Sequence, residues 1–140
     1  MKKIITSGKR KRAIARAVLV DGSGKITINK RDYKNLHMFD KLKIEEPIRI
    51  SENILGKLNF DVLISVKGSG EKSQIEAARI ALSKAIVEFS KHQNPKTISK
   101  ELIKSFLSYD RNLLVADVRR KEVYKPGDSK ARRKRQKSYR

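Results

Sequence analysis

The stretch FDVLISVKGSGEKSQIEAARIALSKAI, residues 60–86, decides the fold. Its first eight residues alternate apolar and polar side chains with a period of two, which predicts a β-strand over residues 60–67. The side chains on the apolar face are Phe60, Val62, Ile64 and Val66. Gly68-Ser69-Gly70 then predicts a loop, because glycines interrupt regular structure.

A helix is predicted to follow over residues 74–90. Apolar residues recur there three and four positions apart, which places them on one face of a helix. This main stripe consists of Ile75, Ala78, Leu82, Ala85, Ile86 and Phe89. Ile80 and Val87 fall outside the stripe, so the helix is expected to contact a second element. Ser73 and Glu76 have the spacing of a capping box at its start.

Further strands are predicted upstream. Residues 12–29, RAIARAVLVDGSGKITIN, alternate apolar and polar side chains on both sides of Asp21-Gly22-Ser23-Gly24, a pattern typical of a β-hairpin. Ile4 and Ile5 begin an earlier strand. These segments place most of the strands in the first half of the chain.

The remaining segments are predicted to be helical. Residues 32–55 indicate short helical pieces, one of them starting at Pro47, and residues 98–108 indicate a helix that follows a break at Asn94-Pro95. Strands first and helices later favour an α+β fold, with an antiparallel or mixed sheet covered on one face. Residues 1–124 are expected to form one domain with a basic arm over residues 1–12, and residues 125–140 to form a basic tail.

The charge of the chain is concentrated at its two ends. The formal net charge is +20 at pH 7 over 140 residues. Residues 1–16 and residues 125–140 each carry +7, which leaves +6 for the 108 residues between them. Such self-repulsion favours a polyanionic partner, either nucleic acid or an anionic membrane.

Several functional classes are disfavoured by the sequence. No apolar run approaches the ~18 residues of a membrane span, and the N-terminal residues lack the apolar core of a secretory signal. There is no cysteine, and His37 and His92 have no carboxylate partners at ligand spacing, so no metal or cofactor is expected. Glu45-Glu46 diverge in direction as neighbours and are better explained as a solvated pair. We therefore expect a soluble, cytoplasmic nucleic-acid binder with no catalytic site and no small-molecule substrate.

The glycine loop has features of a phosphate-binding site as well as those of a simple turn. A strand, a glycine loop and a helix N-terminus together are suited to phosphate. Glu71 follows Gly70 where a phosphate-binding nucleotide loop has glycine before its Lys-Ser, and its charge would repel a triphosphate. A plain strand-to-helix turn and a docking point for an RNA phosphate both remain open.

Arginine content separates the two arms from simple solubilising tails. Arginine presents a planar fork of donors that matches phosphate, whereas lysine is a point charge. The arms contain Arg10, Arg12, Arg132, Arg133, Arg135 and Arg140. Tyr139 among them could stack on a base or ribose. A third basic cluster, Arg111, Arg119, Arg120 and Lys121, follows the last predicted helix.

The segment GSGEKSQIEAARIALSKAI, residues 68–86, resembles the signature of the universal small-subunit ribosomal protein nine family. The matching positions are Gly68, Gly70, Ser73, Gln74, Ala77, Ala81, Ser83, Lys84, Ala85 and Ile86, and Ser69 replaces the middle glycine. GKRKRAIARA, LLSYDRN, VRRKE and KARRKRQKSYR are similar to this family as well, particularly to its archaeal and eukaryotic cytosolic branch. The resemblance covers essentially the whole chain.

The resemblance implies a fold like domain two of small-subunit ribosomal protein five, and a place in the cytoplasm, in the head of the small ribosomal subunit. There the chain would bind the 3′ major domain of the ribosomal RNA and contact neighbouring head proteins. The implied ribosomal RNA contacts are Lys9, Arg10, Lys11, Arg12, Arg16, Gly68, Gly70, Lys72, Arg111, Arg119, Arg120, Lys121, Arg132, Arg133, Lys134 and Arg135. The tail would reach P-site tRNA through Lys137, Ser138, Tyr139 and Arg140.

Two other hypotheses remain at this stage. An autonomous nucleic-acid-binding protein would share the basic arms but would not need the helix signature. A small-molecule kinase on the same fold would need a true phosphate loop and an acidic metal site, and the sequence shows neither.

Overall fold

The computed structural model of the chain describes residues 3–93, 96–124, 131 and 139–140. The elements in chain order are β1 (Ile4–Arg10), β2 (Ala13–Asp21), β3 (Ile26–Ile28), β4 (Arg31–Asp32), α1 (Met38–Leu55), β5 (Phe60–Lys67), α2 (Glu71–Gln93) and α3 (Lys96–Tyr109). Short 3₁₀ turns, Tyr33–Asn35 and Arg111–Leu113, precede α1 and follow α3. The α+β class is confirmed.

The predicted strand over residues 60–67 is confirmed as β5 and lies in the middle of a five-stranded sheet with the order β1-β2-β5-β3-β4. β5 pairs antiparallel with β2 and parallel with β3, so the sheet is mixed. Its apolar face is buried while Leu63, Ser65 and Lys67 on the other face are exposed, as strand alternation requires.

The hairpin predicted over residues 12–29 is wrong. β2 pairs with β1 and β5, whereas β3 pairs with β4 and with the far side of β5. Backbone N–H groups of Ser23, Gly24 and Lys25 donate to Oδ1 of Asp61, which wraps the turn around the start of β5. Alternation specifies which face of a strand is buried but not which strand lies beside it.

The long helix α2 packs on β1, β2 and β5 and also contacts α1 and α3. Ile80 and Val87 are buried, which confirms the second contact surface expected for residues outside the main stripe. The helix begins at Glu71 rather than at residue 74, so Ser73 lies inside it. Glu76 does not complete a capping box, because its carboxylate pairs with Arg10 and Lys43.

Close contact between α2 and β1 depends on Gly8. A Cβ atom at this position would lie 2.2 Å from the carbonyl oxygen of Ala77 and 2.7 Å from the backbone nitrogen of Ala81. The small side chains on α2 therefore approach the strand backbone directly, and Thr6 donates its hydroxyl hydrogen to the Ala81 carbonyl at 2.8 Å. This contact fixes the edge strand that leads to the basic turn described below.

Residues 32–55 contain one short helical piece, the 3₁₀ turn Tyr33–Asn35, but one long helix stands where further short pieces were predicted. α1 is one helix of 18 residues with Pro47 inside it rather than at a start. An interior proline costs about 3 kcal/mol because it removes a helix hydrogen bond. Here Pro47 is buried together with Ile44 and Ile48, and the Ser51 hydroxyl donates to the Pro47 carbonyl. Tertiary burial thus overrides the local signal.

α3 confirms the helix predicted over residues 98–108, with one or two more residues at each end. Leu102, Phe106 and, after it, Leu113 are buried in the shared core. All three helices lie on one side of the sheet. Among the described residues no helix covers the opposite side, which we call the open sheet face.

Candidate nucleic-acid interface

The tight turn between β1 and β2 presents two cations. Arg10 pairs with Ala13, so only Lys11 and Arg12 connect the strands. Lys11 has a φ of 52°, in the left-handed region. Both side chains are exposed, and neither forms an ion pair with another described residue.

The glycine loop lies against this turn. Gly68 has a φ of 85°, and a Cβ there would lie 2.5 Å from the carbonyl oxygen of Arg12. Glycine is therefore required at residue 68 by the contact between the loop and the turn. Gly70 has no atom within 4 Å of its Cβ position, and Ser69 adopts a left-handed φ of 57° without being glycine.

The segment after α3 is held beside the turn by hydrogen-bonded ion pairs. Nε of Arg10 lies 2.7 Å from the Glu76 carboxylate on α2, and Nη2 of Arg10 lies 3.2 Å from Asp117. Asp117 in turn accepts hydrogen bonds from the backbone and the guanidinium of Arg119. Arg10 thus links β1, α2 and the extended segment.

Charge on these groups is stabilised by the same contacts. Hydrogen bonds from the side chain and backbone of Arg119, with Arg10 nearby, lower the pKa of Asp117 to about 2. The hydrogen bonds and charge of Asp117 raise the pKa of Arg119. Arg79 forms a similar bridge, with Nη1 2.9 Å from Asp110 and Nη2 against Glu46. We refer to Arg10, Glu76, Arg79, Asp110, Asp117 and Arg119 as the ion-pair cluster.

Above this cluster lies a cleft of about 700 Å³. Its walls come from the β1–β2 turn, the glycine loop and the extended segment. The lining residues are Arg10, Lys11, Arg12, Ser69, Arg119, Arg120, Lys121 and Val123. Six of these eight residues are basic and none is acidic. We refer to this feature as the basic cleft, and to Lys11, Arg12, Arg120 and Lys121 as its rim.

The structure brings together only part of the predicted set. Lys11, Arg12, Arg119, Arg120 and Lys121 meet at the basic cleft, and Gly68 shapes it. Lys9 and Arg16 lie on the open sheet face, and Arg111 is exposed in the 3₁₀ turn after α3. The other predicted positions are paired within the protein, lie away from the cleft or fall outside the described residues.

Three predicted RNA contacts have ion-pair partners within the protein, and one of them is Arg119, which Asp117 binds. Arg10 keeps only 15% of its side chain exposed and is bound by two carboxylates. Lys72 lies 2.9 Å from the carboxylate of Asp40 and so joins α2 to the start of α1. Arg132, Arg133, Lys134, Arg135, Lys137 and Ser138 lie outside the described residues. Tyr139 and Arg140 are exposed.

Some residues that shape the site were not predicted from the sequence. Asp117 and Glu76 orient the basic segments, and Val123 adds an apolar wall. Acidic residues within a strongly basic chain carry no pattern that marks them as partners of particular arginines. Only the folded contact between β1, α2 and the segment after α3 shows their role.

Two other features bear on the choice of function. Across residues 3–93 and 96–124, no helix has the length and apolarity needed to cross a bilayer. In the same described part of the chain, no three His, Cys, Asp or Glu side chains come together as metal ligands would. The geometry of the site is instead that of a cationic groove.

Comparison with known proteins agrees with that geometry. Residues 8–140 match the family described as ribosomal protein S9/S16. The chain is 49% identical to small ribosomal subunit protein uS9 of Methanococcus vannielii, over the full length of both chains. It is 50% identical to uS9 of Methanococcus maripaludis strain C7 over the same extent, and 43% identical to uS9 of Thermoplasma volcanium over 98% of each chain.

Proposed function

The chain belongs to the family of small ribosomal subunit protein uS9, and we propose that its basic cleft binds small-subunit ribosomal RNA of the 3′ major domain in the subunit head. Family membership identifies the chain as a ribosomal protein of the small subunit, located with it in the cytoplasm, and not as an enzyme. The proposal concerns which surface meets the RNA.

The observation that carries this proposal is the convergence of cations from separate segments. Lys11 and Arg12 come from the β1–β2 turn, and Arg120 and Lys121 follow more than a hundred residues later. Among the described residues that line the cleft, none is a carboxylate that could neutralise them. Like charges that are brought together without counter-ions repel each other, which destabilises the fold slightly. The same arrangement attracts a polyanionic ligand.

The ion-pair cluster prepares the cleft for binding. Arg10 and Asp117 hold the extended segment against the turn before any ligand arrives. A site whose cations are already in place loses less side-chain and loop entropy on binding. Arg10 is then a positioning residue for the RNA-binding groups, and Lys72 supports the start of α2 through Asp40.

We further propose that the C-terminal tail extends this interface. Arg132, Arg133, Lys134 and Arg135 would contact ribosomal RNA, and Lys137, Ser138, Tyr139 and Arg140 would meet the backbone of P-site tRNA. The resemblance of the tail to the family ending supports this assignment, together with the exposure of Tyr139 and Arg140. Gly70 and Arg111 remain candidate RNA contacts because both are exposed.

Two finer proposals complete the assignment. The mixed sheet with helices on one face is consistent with the fold of domain two of small-subunit ribosomal protein five. Contacts with neighbouring head proteins are proposed for the helical side, where Met38, Phe39 and Tyr109 are exposed.

Reconstitution of small subunits tests the function. Subunits that lack this protein are rebuilt with the full chain or with the Arg12→Gln/Arg120→Gln variant and washed in high salt before sedimentation. We expect the full chain to remain bound and the variant to be washed off at lower salt. Equal retention of both proteins would contradict the role of the basic cleft.

A separate arm of this experiment tests the tail. Arg140→Ala is expected to assemble normally but to weaken P-site tRNA binding by about 1–2 kcal/mol, the typical value of a charge-assisted contact. Filter binding of tRNA to the rebuilt subunits measures this difference. Wild-type affinity at every salt concentration would remove Arg140 from the tRNA site.

A further inference from the structure

The open sheet face carries three large apolar side chains that are exposed. Ile5 is 70% exposed, Leu63 57% and Ile14 45%, although all three belong to the sheet that forms the core. Among the described residues no element covers them. A broad exposed surface of this kind commonly marks an interaction site.

The strand register arranges this face in cross-strand rows. Lys9 pairs with Ile14, and Ile14 pairs with Lys67, which forms one row across β1, β2 and β5. In the next row Arg16 stands between Ser7 and Ser65. The third row consists of Ile5, Val18, Leu63, Thr27 and Asp32.

The cations of the first two rows have no counter-ions. Lys9, Arg16 and Lys67 are exposed, and none forms an ion pair with another residue in the described part of the chain. Neighbouring strands lie about 4.8 Å apart, and same-face residues along a strand lie about 6.7 Å apart. The three cations therefore form a compact triangle, with Ile14 between the two lysines and the two serines on either side of Arg16.

Two carboxylates, Asp32 and Asp61, lie beyond the first two rows of the same face, and the exposed Lys25 lies beside Asp61. Asp61 accepts hydrogen bonds from the backbone of Ser23, Gly24 and Lys25, which lower its pKa and keep it charged. Asp32 ends the third row. The first two rows contain no acidic residue, and we refer to them as the basic half of the open sheet face.

The basic half adjoins the basic cleft. Lys9 stands two residues before Lys11 on the rim, and Lys67 directly precedes Gly68, whose loop forms a wall of the cleft. Both strands of the first row therefore lead into the cleft. Among the described residues that line the cleft or form the first two rows, none is acidic, so positive charge continues from the rim onto the sheet.

We propose that an RNA strand bound in the basic cleft continues over the basic half of the open sheet face. Lys9, Arg16 and Lys67 bind its phosphates, the hydroxyls of Ser7 and Ser65 hydrogen-bond its backbone, and Ile14 packs against a ribose. The path ends before Asp61, where like charge repels phosphate. This inference rests on the proposed function and extends its contact surface.

RNA is favoured over a protein partner by the sign of these charges. A protein interface gains most when its central residues are apolar and its charges are paired. Here the three cations of the basic half have no ion-pair partner among the described residues, and all have one sign. A phosphate backbone supplies the counter-charge repeatedly along one path, which this geometry fits.

Salt titration of RNA binding provides the first test. The full chain and its variants are titrated on a 3′ major domain RNA fragment from about 50 to 300 mM salt. Affinity falls with salt, so the slope of log affinity against log salt is negative, and each lost phosphate contact makes it shallower by about 0.7–0.9. Arg16→Gln/Lys67→Gln is therefore expected to make the slope shallower by about 1.4–1.8.

A matched control separates contact from net charge. Lys100→Gln/Lys104→Gln removes two exposed cations of α3, on the helical side of the molecule, and should leave the slope nearly unchanged. Arg12→Gln/Arg120→Gln tests the basic cleft in the same assay. If the salt slope of the cleft variant becomes shallower while that of the sheet variant matches the control, the sheet inference fails and the proposed function stands. If neither variant differs from the control, both fail.

Cross-linking identifies the occupant directly. A benzophenone amino acid replaces Ser65 in the full chain, which is then assembled into small subunits and irradiated. We expect a cross-link to ribosomal RNA. A cross-link to a neighbouring protein, or none above that of the same probe at Ser105 on α3, overturns the inference. Thermal unfolding of each variant confirms that it is folded.

Discussion

Arg10 ends β1 and Arg12 lies two positions later in the turn, yet the two side chains belong to different regions of the molecule. Arg10 points beneath the turn into the ion-pair cluster, where Glu76 and Asp117 bind it. Arg12 lies on the rim of the basic cleft, where none of the described lining residues is a carboxylate. Both residues are arginines in a basic run, so their difference arises entirely from the acids that folding brings near them.

The contrast shows how one residue type serves two purposes in a strongly basic chain. A guanidinium that is paired and mostly buried joins structural elements, and its removal takes one partner from each carboxylate that it binds. A guanidinium that is exposed and unpaired contributes little to folding, but it remains available to phosphate. The predictions below test this division, beginning with the contact that shapes the cleft.

The largest difference in stability is expected between alanine substitutions at Gly68 and at Gly70. Gly68→Ala combines a left-handed φ of 85° with a 2.5 Å approach to the Arg12 carbonyl. We expect a loss of about 2–4 kcal/mol in the free energy of unfolding. The matched variant Gly70→Ala meets no atom within 4 Å and should change stability by no more than about 0.5 kcal/mol. Urea unfolding measures both, and equal values would refute the assigned loop contact.

Arg10→Ala should have the next largest effect on stability. Glu76 keeps Lys43 as a partner and Asp117 keeps Arg119. We therefore expect the free energy of unfolding to fall by about 2 kcal/mol. Arg12→Ala should stay within about 0.5 kcal/mol. The same urea experiment compares the two variants. A loss as large in Arg12→Ala would mean that the rim also stabilises the fold.

Asp117 should make part of this stability depend on pH. The pKa of Asp117 is about 2 in the folded chain, below its ordinary value of 3.8. Its contribution is therefore present above about pH 4 and disappears as the pH falls towards 2. Asp117→Asn should lower the melting temperature at neutral pH, and the difference from the wild type should narrow below pH 4. A constant difference across this range would contradict the charge-based role.

Ser69 should give the smallest effect. Its left-handed φ of 57° is strained for a residue with a Cβ, by about 1 kcal/mol or somewhat more. Ser69→Gly should raise the free energy of unfolding by at most about 1 kcal/mol, since glycine also loses more entropy on folding. Ser69→Ala retains the Cβ and should bring no gain. Comparison of their melting temperatures tests the strain.

Much of the fold was predictable because it depends on local patterns. The alternation in residues 60–67 and the helical spacing after it specify β5, α2 and their buried faces. Strand partners were not predictable in this way, since β5 enters between β2 and β3 after a helix of 18 residues. Pro47 gave a misleading signal because burial against the core overrides its local preference.

The candidate site was only partly predictable for a related reason. Basic runs marked Lys11, Arg12, Arg120 and Lys121, but equally marked Arg10 and Lys72, which pair inside the protein. Charge in a sequence shows where cations are, whereas their availability depends on distant acids. The glycine signature located the loop but could not distinguish the packing of Gly68 from the open position of Gly70.

The most direct test of this division is the salt dependence of RNA binding by the rim. The full chain, Arg12→Gln/Arg120→Gln and the control Lys100→Gln/Lys104→Gln are titrated on the 3′ major domain RNA. We predict a slope shallower by about 1.4–1.8 for the rim variant, from two lost phosphate contacts, and a slope close to that of the full chain for the control. If the rim variant and the control have the same slope, the basic cleft is not where this protein meets RNA.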